Sequence, residues 1–229
     1  MEKPNGEEFN SETDDILFAE LYKLENELLV AKYDNILIYT DGSCKPNPGM
    51  GGWAAIILFK VCLNITNVYK KKNGKILEKV VLKGYSVDIT TNNVMELTGP
   101  LEALLFTEQY SLPIHIVSDS RYFVDGVTKW IDGWKKKNWK TSSGNVANLE
   151  LWKQIDRILS LKSNISVSWV KAHHKDPFNN EADTIANHQA EIAKVVSQTK
   201  QNETLPPSPM PQHGKMPKPP KTSLKCPNL

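Results

Sequence analysis

Long apolar runs are missing from this 229-residue chain, so no membrane-spanning helix is expected. Cysteine is scarce. Cys44, Cys62 and Cys226 are odd in number, scattered and without a Cys-x-x-Cys pair, which argues against a disulfide framework or a structural zinc site. A reducing, intracellular setting, most simply the cytoplasm, is the expectation. Residues 1–8 lack a basic stretch leading into an apolar one, so no secretory signal is expected. Aromatic residues make up only 8% of the chain, yet three of the six tryptophans fall within residues 130–140.

Charge of either sign is present but unevenly placed. Residues 1–34 hold ten acidic and three basic side chains, residues 201–229 hold four lysines and one glutamate, and the stretch between carries +6 against an overall +2. A basic middle suits a nucleic-acid backbone and excludes little else. Three parts are expected. The first, residues 1–34, is an acidic extension in which Ile16, Leu17, Leu21, Leu24 and Leu28 recur at helical spacing. The second, residues 35–200, is one catalytic domain. The third, residues 201–229, holds eight of the fourteen prolines and reads as a basic, disordered tail.

The middle alternates between strand and helix patterns. Strands are expected over residues 35–40, 52–66, 75–89, 114–118 and 165–170, with a hairpin turn at Asn73-Gly74. Helices are expected over residues 93–110, 120–134, 148–161 and 180–197. The order β-β-β-α-β-α-α-β-α implies an α/β fold, a mixed five-stranded sheet flanked by helices. Gly99-Pro100 falls inside the first of these helices, where proline costs roughly 3 kcal/mol, so a distortion is expected there.

Four carboxylates fall where elements begin or end. Asp41 closes the first strand and Asp119 the fourth, Glu96 lies in the first turn of a helix, and Asp183 lies near the start of the last helix. Functional groups in such sheets gather at the ends of adjacent strands. Clustered oxygen donors invite hard divalent ions. Two such ions, roughly 4 Å apart, can activate water and steady a leaving oxygen. Read alone, each of these acids has a plainer explanation, such as helix capping by Asp119 or a favourable helix N-terminus for Asp183.

The surrounding residues carry a resemblance. Thr40-Asp41-Gly42-Ser43-Cys44-Lys45-Pro46-Asn47-Pro48-Gly49, Thr91-Asn92-Asn93-Val94-Met95-Glu96-Leu97, Asp119-Ser120-Arg121-Tyr122 and Trp169-Val170-Lys171-Ala172-His173 with Asn179 and Asp183 occur in this order. Together they resemble the signatures of the type 1 ribonuclease H family, bacterial type. The resemblance implies an RNase H-like fold and sequence-independent endonucleolytic cutting of the RNA strand of an RNA–DNA hybrid, leaving 5′-phosphate and 3′-hydroxyl ends. It implies two Mg²⁺ ions, with Mn²⁺ as a substitute, held by Asp41, Glu96, Asp119 and Asp183. His173 takes the place of a mobile histidine that moves protons or aids product release.

The same resemblance assigns substrate contacts. Cys44, Asn47, Asn92 and Asn93 match positions that meet the 2′-hydroxyls in the shallow groove of the hybrid. Thr91 and Asn148 match a pocket for a DNA phosphate. Trp130, Trp134, Lys135, Lys136, Lys137 and Trp139 resemble a basic protrusion that grips the DNA strand. Trp130 and Trp134 stand four apart, so a core-packing role for one of them remains open, and Trp139 is the better candidate for contact. Val94 and Glu181 depart from the family pattern by removing positive charge. A monomer is expected, with a replication or repair partner conceivable through the N-terminal helix or the C-terminal tail. Two rivals stand beside this reading. One is a junction resolvase or transposase on the same fold, and the other a hybrid-binding protein without catalysis.

Overall fold

A computed structural model describes residues 33–61, 75–172 and 176–204. The N-terminal helix, the hairpin turn at Asn73-Gly74, His173 and residues 205–229 of the expected tail lie outside the described residues, whereas residues 201–204, expected to begin that tail, continue the last helix. Five strands form the main sheet: β1 (Asn35–Cys44), β2 (Gly49–Val61), β3 (Lys75–Thr90), β4 (Ile114–Ser118) and β7 (Ile165–Trp169). Their order is β3-β2-β1-β4-β7. The β1–β2 and β2–β3 pairs are antiparallel, while β1–β4 and β4–β7 are parallel. The expected mixed five-stranded sheet is therefore present. A two-stranded ribbon, β5 (Lys140–Thr141) with β6 (Gly144–Asn145), was not expected.

Helices cover both faces because the strands alternate. Ile36, Ile38, Ala55, Ile57 and Phe59 point to one face, where they pack under α1 (Asn92–Thr107) and α4 (Leu149–Leu161) with Leu97, Leu101, Trp152 and Ile155. Tyr39, Ile56, Leu58 and Val117 point to the other and meet Ala182 of α5 (Pro177–Thr204). Two large apolar faces on one sheet demand this three-layer arrangement.

Three local expectations need correction. β1 does not stop before Asp41. It runs to Cys44, because Gly51 and Gly52 of β2 continue the ladder and pair with Cys44 and Ser43. The helix expected over residues 120–134 is three pieces: α2 (Arg121–Asp125), a π-helical turn (Gly126–Trp130) and α3 (Ile131–Lys136). The distortion thus falls here rather than at Gly99-Pro100, since α1 is unbroken through Pro100. Gly99 and Pro100 are both buried against the sheet, and that packing outweighs one missing hydrogen bond.

Candidate active site

The site forms at the C-terminal ends of the two central parallel strands. Thr40 of β1 and Ser118 of β4 are the last register partners of the two strands, so Asp41, still paired with Ala54 of β2, and Asp119, just beyond β4, follow them side by side. Gly42 admits α1: a Cβ there would overlap the backbone of Met95 and Glu96, so the helix turn carrying Glu96 rests directly on β1. Gly52 does the same for α5, whose Ala186 and Ala190 backbone atoms occupy the space of its missing side chain. Two glycines thus set the distances of Glu96 and Asp183 from the strand ends.

Asp41 and Glu96 sense neighbouring carboxylates. Burial raises the Asp41 carboxyl to about 8, helped by the charge of Asp119 and by the charge and hydrogen bond of Asp183, against a lowering hydrogen bond from the Gly42 backbone. Burial also raises Glu96. Asp119 adds to that shift, while hydrogen bonds from Ser120 and Asn92 oppose it. Neutral donors hold three of the acids. Asn92 Nδ2 donates to Glu96 Oε1 at 2.6 Å and Ser120 Oγ to Glu96 Oε2 at 2.5 Å. Asn179 Nδ2 donates to Asp119 Oδ2 at 3.1 Å, and Asn187 Nδ2 to Asp183 Oδ1 at 2.9 Å. Trp169 Nε1 donates to the Asp119 carbonyl at 3.0 Å, and the Arg121 guanidinium lies 3.6 Å over the Trp169 ring.

This donor set suits a hard divalent cation. Neighbouring carboxylates raise the proton affinity of Asp41 and Glu96, and beside Asp119 the buried Oδ1 of Asn179 has no hydrogen-bond partner among the described residues. Among the described residues, however, no three His, Cys, Asp or Glu side chains already stand in an arrangement that would hold an ion.

The expected substrate contacts divide. Asn47 and Asn93 are exposed. Asn47 Oδ1 accepts from the Asn92 backbone N–H at 3.1 Å, and Asn92 Oδ1 accepts from the Cys44 N–H at 3.2 Å. The Cys44 thiol is turned inward, toward the carbonyls of Pro46 and Thr90, so its side chain is not presented. Thr91 caps α1 through Val94 N–H. Asn148 starts α4 in a left-handed conformation, φ 57°, with Nδ2 donating to Tyr122 Oη at 3.1 Å.

In the lysine–tryptophan segment Trp134 packs on Trp152 at 5.3 Å between ring centroids, and Trp152 is wholly buried. Trp139 packs on Trp134 and is partly buried, whereas Trp130 is 38% exposed. Asn138 and Trp139 are both left-handed, and of the two outer rings Trp130, packed on Tyr122 and Trp134, is the more exposed. Lys135 is tied to Asp156 at 2.9 Å, while Lys136 and Lys137 are exposed. Glu181 is matched by Lys79 at 2.8 Å. Sequence reasoning did not single out Ser120, Asn179 and Asn187 as holders of the acids. For Asn187 the signal was its place one helical turn after Asp183.

Comparison with known proteins agrees with this geometry. The family model described as RNase H matches residues 33–191. The chain is 41% identical over 152 residues to a ribonuclease H of Wolbachia pipientis, covering 66% of this chain and 92% of the relative. It is 40% identical over 155 residues to a ribonuclease H of Pseudomonas paraeruginosa, covering 67% and 92%. The fold matches LC9-RNase H1, described as a type 1 RNase H with the type 2 active-site motif, with TM-score 0.57 and 24% identity over 70% of this chain and 74% of that one. It also matches a foamy viral protease–reverse transcriptase, with TM-score 0.55 and 20% identity over 70% and 96%.

Proposed function

The chain belongs to the type 1 ribonuclease H family, and from that premise we propose that it cuts the RNA strand of RNA–DNA hybrids endonucleolytically, with little regard to sequence, leaving 5′-phosphate and 3′-hydroxyl ends. What supports this reading is that Asp119 and Asp183 lie near enough to Asp41, and Asp119 near enough to Glu96, to raise the proton affinity of Asp41 and Glu96. These four side chains would hold two Mg²⁺ ions, or Mn²⁺ in their place. Bound there, such ions would supply water activation and charge neutralisation for the departing 3′ oxygen.

The chain's own groups do the rest. Asn92 and Ser120 fix both oxygens of Glu96, and Asn179 fixes Asp119, so the acids face the substrate with little freedom to reorganise. Asn47, Asn93 and Asn92 would meet the 2′-hydroxyls of the RNA strand, with Cys44 contributing through its backbone. Trp130, Lys136 and Lys137 would hold the DNA strand, with Trp134, Trp139 and Lys135 shaping the protrusion. Thr91 and Asn148 would receive a DNA phosphate. His173, outside the described residues, would shuttle the proton. Residues 35–200 would suffice for the reaction, acting as a monomer, and the two extensions would serve a replication or repair partner.

The test is digestion of an end-labelled hybrid in Mg²⁺ and in Mn²⁺, beside duplex DNA, double-stranded RNA and four-way junctions, with Asp119→Asn as control. Cutting of the hybrid alone, lost in Asp119→Asn, is expected. An intact chain that cuts nothing in either metal would overturn the proposal, and preferential junction cutting would favour a resolvase.

A further inference from the structure

Asp183 differs from its partners in how it is held. Asn187, one turn later on α5, donates from Nδ2 to both Asp183 Oδ1 and the Asp183 carbonyl, each at 2.9 Å. The other end of the same amide is also occupied. Asn187 Oδ1 accepts from Ser43 Oγ at 2.7 Å and from Lys45 Nζ at 2.7 Å. An ammonium can only donate, so the amide oxygen must face Lys45 and the NH₂ must face Asp183. The orientation of Asn187 is thereby fixed from both sides, by β1 and the turn that follows it at Oδ1 and by the acceptor-only oxygens of Asp183 at Nδ2.

Two physical consequences follow from an amide in this place. A lysine paired directly with Asp183 would neutralise it and compete with any cation. Through the amide, the charge of Lys45 polarises the N–H groups and strengthens their grip on Asp183. The opposite end of the same turn reaches the opposite flank of the site, because Asn47 accepts from the Asn92 N–H and Asn92 donates to Glu96. One short turn therefore contacts the supports of two acids.

We propose that Asn187 is a positioning residue that orients Asp183 for metal binding and takes its own orientation from Ser43 and Lys45 at the start of the β1–β2 turn. The proposal rests on the reading of Asp183 as a metal ligand. It makes Lys45 a metal-affinity determinant although Lys45 is exposed and acts on Asp183 through the Asn187 amide.

The test measures Mg²⁺ and Mn²⁺ binding to the full chain by calorimetry, together with the Mg²⁺ dependence of hybrid cleavage, for Asn187→Ala, Lys45→Met and Asp183→Asn. Asn187→Ala should weaken metal binding by about 10-fold to 100-fold. It should raise the Mg²⁺ concentration for half-maximal cleavage, with KM for the hybrid unchanged at saturating Mg²⁺. Lys45→Met, at an exposed position, should move the same quantities in the same direction by a smaller factor, and it keeps the proposal falsifiable if Asn187→Ala fails to fold. Unchanged metal binding in Lys45→Met and in a folded Asn187→Ala, beside a defective Asp183→Asn, would overturn the inference alone. Unchanged metal binding in Asp183→Asn would overturn the ligand reading on which it rests.

Discussion

A carboxyl group held protonated up to about pH 8, as Asp41 is, makes folding itself depend on pH. The folded chain keeps a proton that the unfolded chain releases near pH 3.8. The associated stability is complete at low pH and is lost as pH rises through the folded value of about 8. Metal-free protein should therefore melt at a lower temperature at pH 8.5 than at pH 5, and Asp41→Asn should flatten that slope. Added Mg²⁺ should recover more of the melting temperature at the higher pH, because cations and protons compete for the same oxygens. Ser120 serves two ends of the site, donating to Glu96 and capping α2 through the Phe123 N–H. Ser120→Ala should cost about 1 kcal/mol in denaturant unfolding and lower cleavage about tenfold through Glu96. The four acids were legible in the sequence because they sit inside motif strings. Ser120, Asn179 and Asn187 were less so, since a neutral side chain shows its role only when its partner is seen.

At the scale of elements, close approach is what the site demands. Gly42→Ala would drive a methyl group into the α1 backbone at Glu96. A destabilisation of about 3 kcal/mol is expected, with cleavage falling further than stability explains. Gly133 in α3 is the control, because a methyl group added there would meet nothing within 4 Å. Gly133→Ala should stabilise by about 0.5–1 kcal/mol and leave cleavage unchanged. The protrusion invites a salt test. Exposed Lys136 and Lys137 changed to Gln should reduce the slope of log binding constant against log salt by about 0.9 for each phosphate no longer neutralised. Lys135→Gln should change it less, because Lys135 is engaged by Asp156 and Ser160. Hydrophobic periodicity made the strands and long helices legible. It missed the π-helical turn, which adds a residue to one turn of an otherwise regular pattern, and it missed the two left-handed residues Asn138 and Trp139.

Across the whole molecule the sheet does the organising. β1 and β4 lie side by side although β2, β3 and α1 separate them in the chain, and that adjacency joins Asp41 to Asp119. α5 crosses the far face and delivers Asp183, while the β1–β2 turn links supports of Glu96 and Asp183. The family and the order of the five main-sheet strands and long helices were determined by the sequence alone, because each is carried by local pattern: alternation, helical spacing, and short strings of chemically committed residues. Only the tertiary structure decided which lysine stays available, which tryptophan faces outward, that Cys44 turns inward, and that Asn187 stands between Lys45 and Asp183. Those outcomes depend on contacts between residues far apart in the chain, where packing and hydrogen-bond geometry, rather than local preference, choose among the partners that the sequence permits.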